Sequence, residues 1–227
     1  MILRSLIVIL GLSIPLSLSY YASAFAQTAP ELLITWQAAN FTPPTYQGKV
    51  LPTRKTQITA AVELIDNGKL IVLNTKEIRW FLSNNLIKTG FGLKNIVFSI
   101  PAIAGADQLL KVSVISYRGR NLEKSVIVPV SNPETVIDIP YPGKIIAVGI
   151  NTFQALPYFF NVANLKNLSF VWSANSQKTQ GEVENPEILE LDIPAGVRRG
   201  ELNLSLDVTS KLDPLEIAHE LIKLTIK

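Results

Sequence analysis

Ile78-Arg79-Trp80, Ile96-Val97-Phe98-Ser99-Ile100-Pro101 and Leu110-Lys111-Val112-Ser113-Val114 decide the fold, because the series returns further along the chain. It comes back as Phe170-Val171-Trp172, Leu189-Glu190-Leu191-Asp192-Ile193-Pro194 and Leu202-Asn203-Leu204-Ser205-Leu206. The Trp-to-Pro spacing and the Pro-to-strand spacing each differ by one residue between copies. Two matching series of this length imply a duplicated unit. Inside each copy, apolar residues alternate with polar ones: Leu110, Val112 and Val114 against Lys111 and Ser113, Leu202, Leu204 and Leu206 against Asn203 and Ser205. A period of two is that of a half-buried strand, so the unit is built from β-strands.

The rest of the chain agrees. Ile58, Ala60, Val62 and Leu64 alternate with smaller or polar residues, and Asp66-Asn67-Gly68-Lys69 supplies a hairpin turn, since Asn-Gly readily adopts positive φ. Further turns are expected at Ser83-Asn84-Asn85, at Tyr117 to Asn121 and at Lys211 to Pro214. No segment holds a convincing helical period. Many short strands with Gly, Pro and Asn turns between them predict antiparallel sandwiches, an all-β chain. Ser131-Asn132-Pro133-Glu134 is polar and lies between two strand runs. It divides the chain into residues 27–131 and 132–227, a short linker that restricts the relative orientation of the halves. In the second half, Ile145 to Ile150 reads as one strand. The aromatic stretch from Phe153 to Asn167 reads as an irregular insertion without a counterpart in the first half.

Each copy carries a mid-domain strand with a tryptophan and a late strand of alternating aliphatics. That pattern resembles the immunoglobulin-like superfold, of the Ig, fibronectin and PKD type. The resemblance implies two tandem sandwiches with Trp80 and Trp172 in the place of the core tryptophan. The inter-sheet cysteine pair of that family is missing, as is its tyrosine corner. The string Phe41-Thr42-Pro43-Pro44, Tyr46 and Gly48-Lys49 is similar to the first domain of exported Ig-like proteins of reduced-genome bacteria.

Met1 to Arg4 is a short positive start, Ser5 to Leu18 is apolar, and Ala22 to Ala26 offers small-x-small sites. Residues 1–26 therefore read as a secretory signal peptide cut before Gln27. Ser5 to Ala26 is uncharged and also long enough to span a bilayer, so an uncleaved anchor is the alternative. The expected location is outside the cytoplasm, with membrane contact through this segment alone. Without Arg4 the formal charge falls by one, from +3 to +2. That is too little to capture nucleic acid. With no cysteine, stability must come from hydrophobic burial.

No enzyme chemistry is expected. The single histidine, His219, stands beside Glu220 with no Gly-x-Ser-x-Gly elbow in the chain. One histidine without cysteine cannot fill a zinc site. Glu182, Glu184 and Glu187 fall in or beside one loop, and Glu190 and Asp192 share a strand face. Calcium takes such oxygens, yet the chain lacks an Asp-x-Asp-x-Asp-Gly loop. These carboxylates read as a solvated face, with Ca²⁺ near Glu182 as the alternative. No cofactor and no metal are expected.

Two binding readings remain. Phe153, Tyr158, Phe159 and Phe160 exceed the needs of packing and predict an apolar patch for an envelope or surface protein, against burial between the halves. Trp36, Phe41 and Tyr46 predict, in the other reading, an aromatic platform for a glycan, against folding back as packing residues. The sequence thus points to a non-enzymatic structural or protein-interaction module, with a carbohydrate-binding module as the alternative.

Overall fold

A computed structural model describes residues 29–103, 106–197 and 199–227. The segment 1–26, with its signal reading and its cleavage site, lies outside the described residues, as do Gly105 and Arg198. The strands of the first half are β1 (Glu31–Ala38), β2 (Gln57–Asp66), β3 (Lys69–Ile71), β4 (Glu77–Leu82), β5 (Asn85–Phe91), β6 (Asn95–Ser99), β7 (Gln108–Tyr117) and β8 (Arg120–Val128). Those of the second half are β9 (Glu134–Asp138), β10 (Ile145–Ile146), β11 (Gly149–Tyr158), β12 (Leu168–Ala174), β13 (Gln177–Thr179), β14 (Ile188–Ile193), β15 (Gly200–Ser210) and β16 (Ile217–Ile226). Short 3-10 turns at Pro142–Lys144 and Leu165–Asn167 are the helical elements among the described residues.

The two halves repeat one strand order. In the first, β1-β2-β6 make one sheet, with β3 also on β2, and β5-β4-β7-β8 make the other. In the second, β9-β11-β14 face β13-β12-β15-β16. Every pairing named so far is antiparallel. The exception is an addition to the second half, where β10 runs parallel to β16, Ile145 beside Thr225 and Ile146 beside Ile226. The chain is all-β, as the alternation predicts, and its two halves are tandem sandwiches of immunoglobulin-like strand order.

Each sandwich closes on its own buried cluster. Ile58, Val62 and Leu64 of β2 and Ile96 of β6 meet Ile78 and Trp80 of β4 and Leu110, Val112 and Val114 of β7. Phe153 of β11 and Leu189 of β14 meet Trp172 of β12 and Leu204, Leu206 and Val208 of β15. Both tryptophans are fully buried at matching places. A buried indole needs a partner for its N–H, and the two copies solve this alike. Trp80 Nε1 donates to Leu93 O at 2.9 Å, and Trp172 Nε1 to Pro186 O at 3.1 Å, each carbonyl lying on the connection into the next core strand. The hairpins after these strands also agree. Ser83 and Asn84 have φ of 46° and 68°, and Asn175 and Ser176 have 48° and 65°, the paired positive φ that suits the twist of a tight hairpin.

Gly181 lies against this indole in the second copy. A Cβ there would sit 2.8 Å from Pro186 O, 2.9 Å from Ile188 O and 3.3 Å from Trp172 Nε1. Two backbone oxygens cannot swing aside as a flexible side chain would. Gly181→Ala is therefore expected to cost about 1–3 kcal/mol, measured as a lower urea midpoint; an unchanged midpoint would show that the loop yields freely.

The aromatic stretch is where the structure departs from the sequence reading. Phe153 to Tyr158, the first part of the irregular insertion expected at Phe153 to Asn167, belong instead to β11, the counterpart of β2. That strand pairs with β14 up to Gln154 and with β9 from Gln154 onward, while Phe159 to Asn167 lie outside the named strands. Ile145 to Ile150 is not one strand either: β10 ends at Ile146, and β11 starts at Gly149, whose φ is 100°.

Candidate binding groove at the junction of the sandwiches

Three prolines and a glycine keep residues 39–56, between β1 and β2, out of regular structure. This connection crosses to the second sandwich. Phe41 N donates to Phe160 O and Phe159 N donates to Phe41 O, both at 2.8 Å, a two-bond antiparallel bridge between the halves. Phe159 adopts φ of 61°, a left-handed conformation costly for a non-glycine residue. It is held by this bridge and by Asn40, whose Nδ2 donates to Phe159 O and, at 3.1 Å, to Thr53 Oγ1. Tyr46 lays its ring edge-on to Tyr158 and Phe159, each with centroids 5.6 Å away.

Beneath the bridge lies a buried carboxylate. Glu216 is 1 % exposed. Thr53 Oγ1 donates to its Oε1 at 2.7 Å, and Asn161 N donates to its Oε2 at 3.2 Å. Burial raises its pKa, against the hydrogen bonds from Thr53 and Asn161, which lower it. Asp213 nearby takes Lys55 Nζ at 2.9 Å, with Arg54 Nε at 3.7 Å. The hydrogen bond from Lys55, then that from Leu215 N, lowers the Asp213 pKa.

These contacts relocate the expected site residues. Phe153 and Phe160 are fully buried and Phe159 nearly so; Tyr158 is half-buried. The apolar patch expected at Phe153 to Phe160 is therefore not on the surface. Strand alternation turns Phe153 inward, Phe160 packs in the second core, and Phe159 lies under Tyr46. The aromatic row expected from Trp36, Phe41 and Tyr46 is not formed either. Trp36 packs on the first core under Lys49 Nζ, 3.6 Å from its ring centroid, while Phe41 packs on the second core. Desolvation there lowers the Lys49 pKa.

Phe41 has a second role. Together with Pro44 it forms one wall of a groove of about 840 Å³ along the junction. Leu165, Leu168 and Pro186 extend its apolar lining, and Asn164 and Asn185 add amides. Lys166 and Lys211 are linked by a 2.9 Å bond from Lys211 Nζ to Lys166 O, and Glu184 and Glu187 also line the groove. The volume falls within the usual range of binding sites, ~300–1,000 Å³. No local pattern marks this site, because its members lie mostly on loops and turns far apart in the chain.

Elsewhere, His219 Nδ1 is 2.8 Å from Asp207 Oδ1, both side chains open to solvent on the outer face of β15 and β16. Glu182 accepts from Asn185 Nδ2 at 3.2 Å. Among the described residues no three acidic or histidine side chains converge on a point that could hold a metal ion. Nor is any helix among them long and apolar enough to cross a membrane.

No protein-family model matches the chain, and no curated protein matches it in sequence. Among solved structures it is similar to fibronectin(III)-like modules of Clostridium thermocellum CbhA, at 14% identity over 86% of this chain and 93% of that one, with a TM-score of 0.29. It is also similar to the three N-terminal domains of the bacteriophage RB49 Highly Immunogenic Outer Capsid protein, at 14% identity over 87% and 70%, with a TM-score of 0.33. Murine CEACAM1b matches at 16% identity over 86% of this chain and all of that one, with a TM-score of 0.28. The strand order, and not these superpositions, assigns the fold.

Proposed function

We propose that this chain is an exported, non-enzymatic interaction module of the cell envelope or surface, two sandwiches divided at Ser131 and Asn132 and docked as one elbow. The observation that carries the reading is the apolar groove where Phe41 and Pro44 of one half meet Leu165, Leu168 and Pro186 of the other. Such a surface, rimmed by charged residues, is what a binding partner requires. Export is supported by the positive start, apolar run and Ala24-Phe25-Ala26 ending of the first 26 residues. A binding role fits the open setting of His219 and Asp207, whose side chains lie about half exposed on the outer face of β15 and β16.

A photo-crosslinking residue placed at Pro44 or Asn185 tests the reading in cells producing the full chain. It is expected to capture one discrete envelope protein that the same residue at Glu123, on β8, does not capture. Identical capture from all three positions, or saturable binding of a glycan from a polysaccharide panel in its place, would overturn it.

A further inference from the structure

We infer that the junction groove binds an extended polypeptide segment, one carrying an apolar side chain between an acidic and a basic residue. The inference rests on the interaction-module reading and names the chemistry of its partner. Three features of the groove lead to it.

The first is its lining. Phe41, Pro44, Leu165, Leu168 and Pro186 form a mostly aliphatic surface. The flat exposed ring on which a sugar face stacks is missing here: the single aromatic in the lining, Phe41, is half-buried with its ring against the second core. An aliphatic or aromatic side chain gains from such a surface by burial alone, at roughly 25 cal/mol per Å².

The second is charge. Lys166 and Lys211 are joined through one hydrogen bond and stand for one sign, while Glu184 and Glu187 stand for the other. Lys166, Lys211 and Glu184 are exposed, and no ion pair among the described residues engages any of the four. A neutral glycan would leave both signs unanswered, and a nucleic acid would meet the glutamates. A polypeptide supplies both countercharges on one backbone. Charged groups at such a rim set partner choice more than affinity.

The third is shape. Two non-helical segments from different sandwiches, Phe41 to Pro44 and Glu184 to Glu187, line the groove together with the 3-10 turn at Leu165 and Lys166. Exposed amides at Asn164 and Asn185 can each donate to or accept from a peptide backbone.

The test uses the full chain and fluorescent nine-residue peptides with a central Leu or Phe, read by polarisation. One set carries a Glu and a Lys on opposite sides of the apolar residue; control sets replace both by Gln, by two Glu, or by two Lys. The Glu/Lys set is expected to bind about tenfold more tightly than the Gln set at low salt, with the gap closing as salt screens the rim. The variant Lys166→Glu/Lys211→Glu makes every rim charge acidic. It is expected to lose about tenfold for the Glu/Lys set and to prefer the two-Lys set instead. Lys88→Glu/Lys124→Glu, a change of equal charge on exposed positions of β5 and β8, is expected to leave the preference unaltered, and thermal unfolding confirms that both variants fold.

Equal binding of all sets, or an unmoved preference in the Lys166→Glu/Lys211→Glu variant, would overturn the inference. The two readings fail separately. Specific capture from Pro44 without peptide selectivity would leave an interaction module whose partner is not an extended charged segment. Loss of capture as well would remove the module reading itself.

Discussion

Trp172→Ala is expected to cost the second sandwich about 3–5 kcal/mol, and Trp80→Ala the same in the first. Each side chain is fully buried among residues from both sheets of its sandwich. Truncation therefore removes the largest side chain of the core and leaves a cavity that two hydrogen-bonded sheets cannot collapse to fill. Each change also strands an acceptor, Pro186 O or Leu93 O, that the indole had satisfied. Domains of this size are stable by only about 5–15 kcal/mol, so either variant is brought close to unfolding at physiological temperature. Urea titration followed by far-UV circular dichroism, to which both sandwiches contribute, gives the answer for each variant. Intrinsic fluorescence follows the untouched half in parallel: Trp36 and Trp80 report the first sandwich in Trp172→Ala, and Trp172 reports the second in Trp80→Ala. A near-neutral result in either would mean that the indole is not a core element.

Glu216→Ala is expected to loosen the junction by about 1–3 kcal/mol, the cost of leaving Thr53 Oγ1 and Asn161 N without their acceptor. The pH dependence of the junction is the sharper measurement. Burial raises the pKa of Glu216 above its ordinary 4.5, with Thr53, Asn161 and Arg54 opposing and Asp213 reinforcing the shift. The contribution of this group to docking is therefore whole below the ordinary value and is lost as pH rises through the raised one. Asp213 behaves oppositely: its pKa is held below 3.8, chiefly by Lys55, and its contribution is lost as pH falls through the lowered value. The protection of the Phe41 and Phe159 amides, which make the bridge, reports this directly by hydrogen exchange. In the wild type their protection factors are expected to decline as pH rises above the ordinary 4.5 of this group and through its raised value. In Glu216→Gln, which cannot ionise, they are expected to stay level across that range, from whatever starting value the amide imposes opposite Asn161 N. A level profile in the wild type would show that Glu216 is not desolvated at the junction.

The elements that announced themselves were those with local patterns. The Trp, Pro and alternating-aliphatic series fell on β4, β6 and β7 and again on β12, β14 and β15, because a strand with one buried face must write its period into the sequence. Asn67 and Gly68 carry the positive φ expected of their turn, 49° and 72°. The failure at β11 has a physical cause too. Its inward positions are Asn151, Phe153, Ala155 and Pro157, a set with no branched aliphatic and with a proline, so the alternation was present but spelled in residues that look like loop. Glu216 gave no local signal at all: a glutamate beside a hairpin turn looks solvated, and it is buried only because Thr53, from the other half of the chain, closes over it. Phe41 and Phe160 lie 119 positions apart in sequence, a contact that no short-range pattern encodes. The groove inherits that blindness, since it exists only once the bridge has formed.

The parallel pairing of β10 with β16 sets how the molecule answers mechanical load. When the ends of the second sandwich are drawn apart, β10 and β16 are drawn in opposite senses along their own axes. The bonds between Ile145–Ile146 and Thr225–Ile226, and that from Lys227 N to Ile146 O at 3.1 Å, then share the strain and must break together. Among the described residues of the first sandwich no strand runs parallel to β8, so no such shear clamp stands at its end. Under tension the two repeats are therefore expected to be unequal, the first extending at lower force than the second, an order that single-molecule pulling on the full chain reads directly.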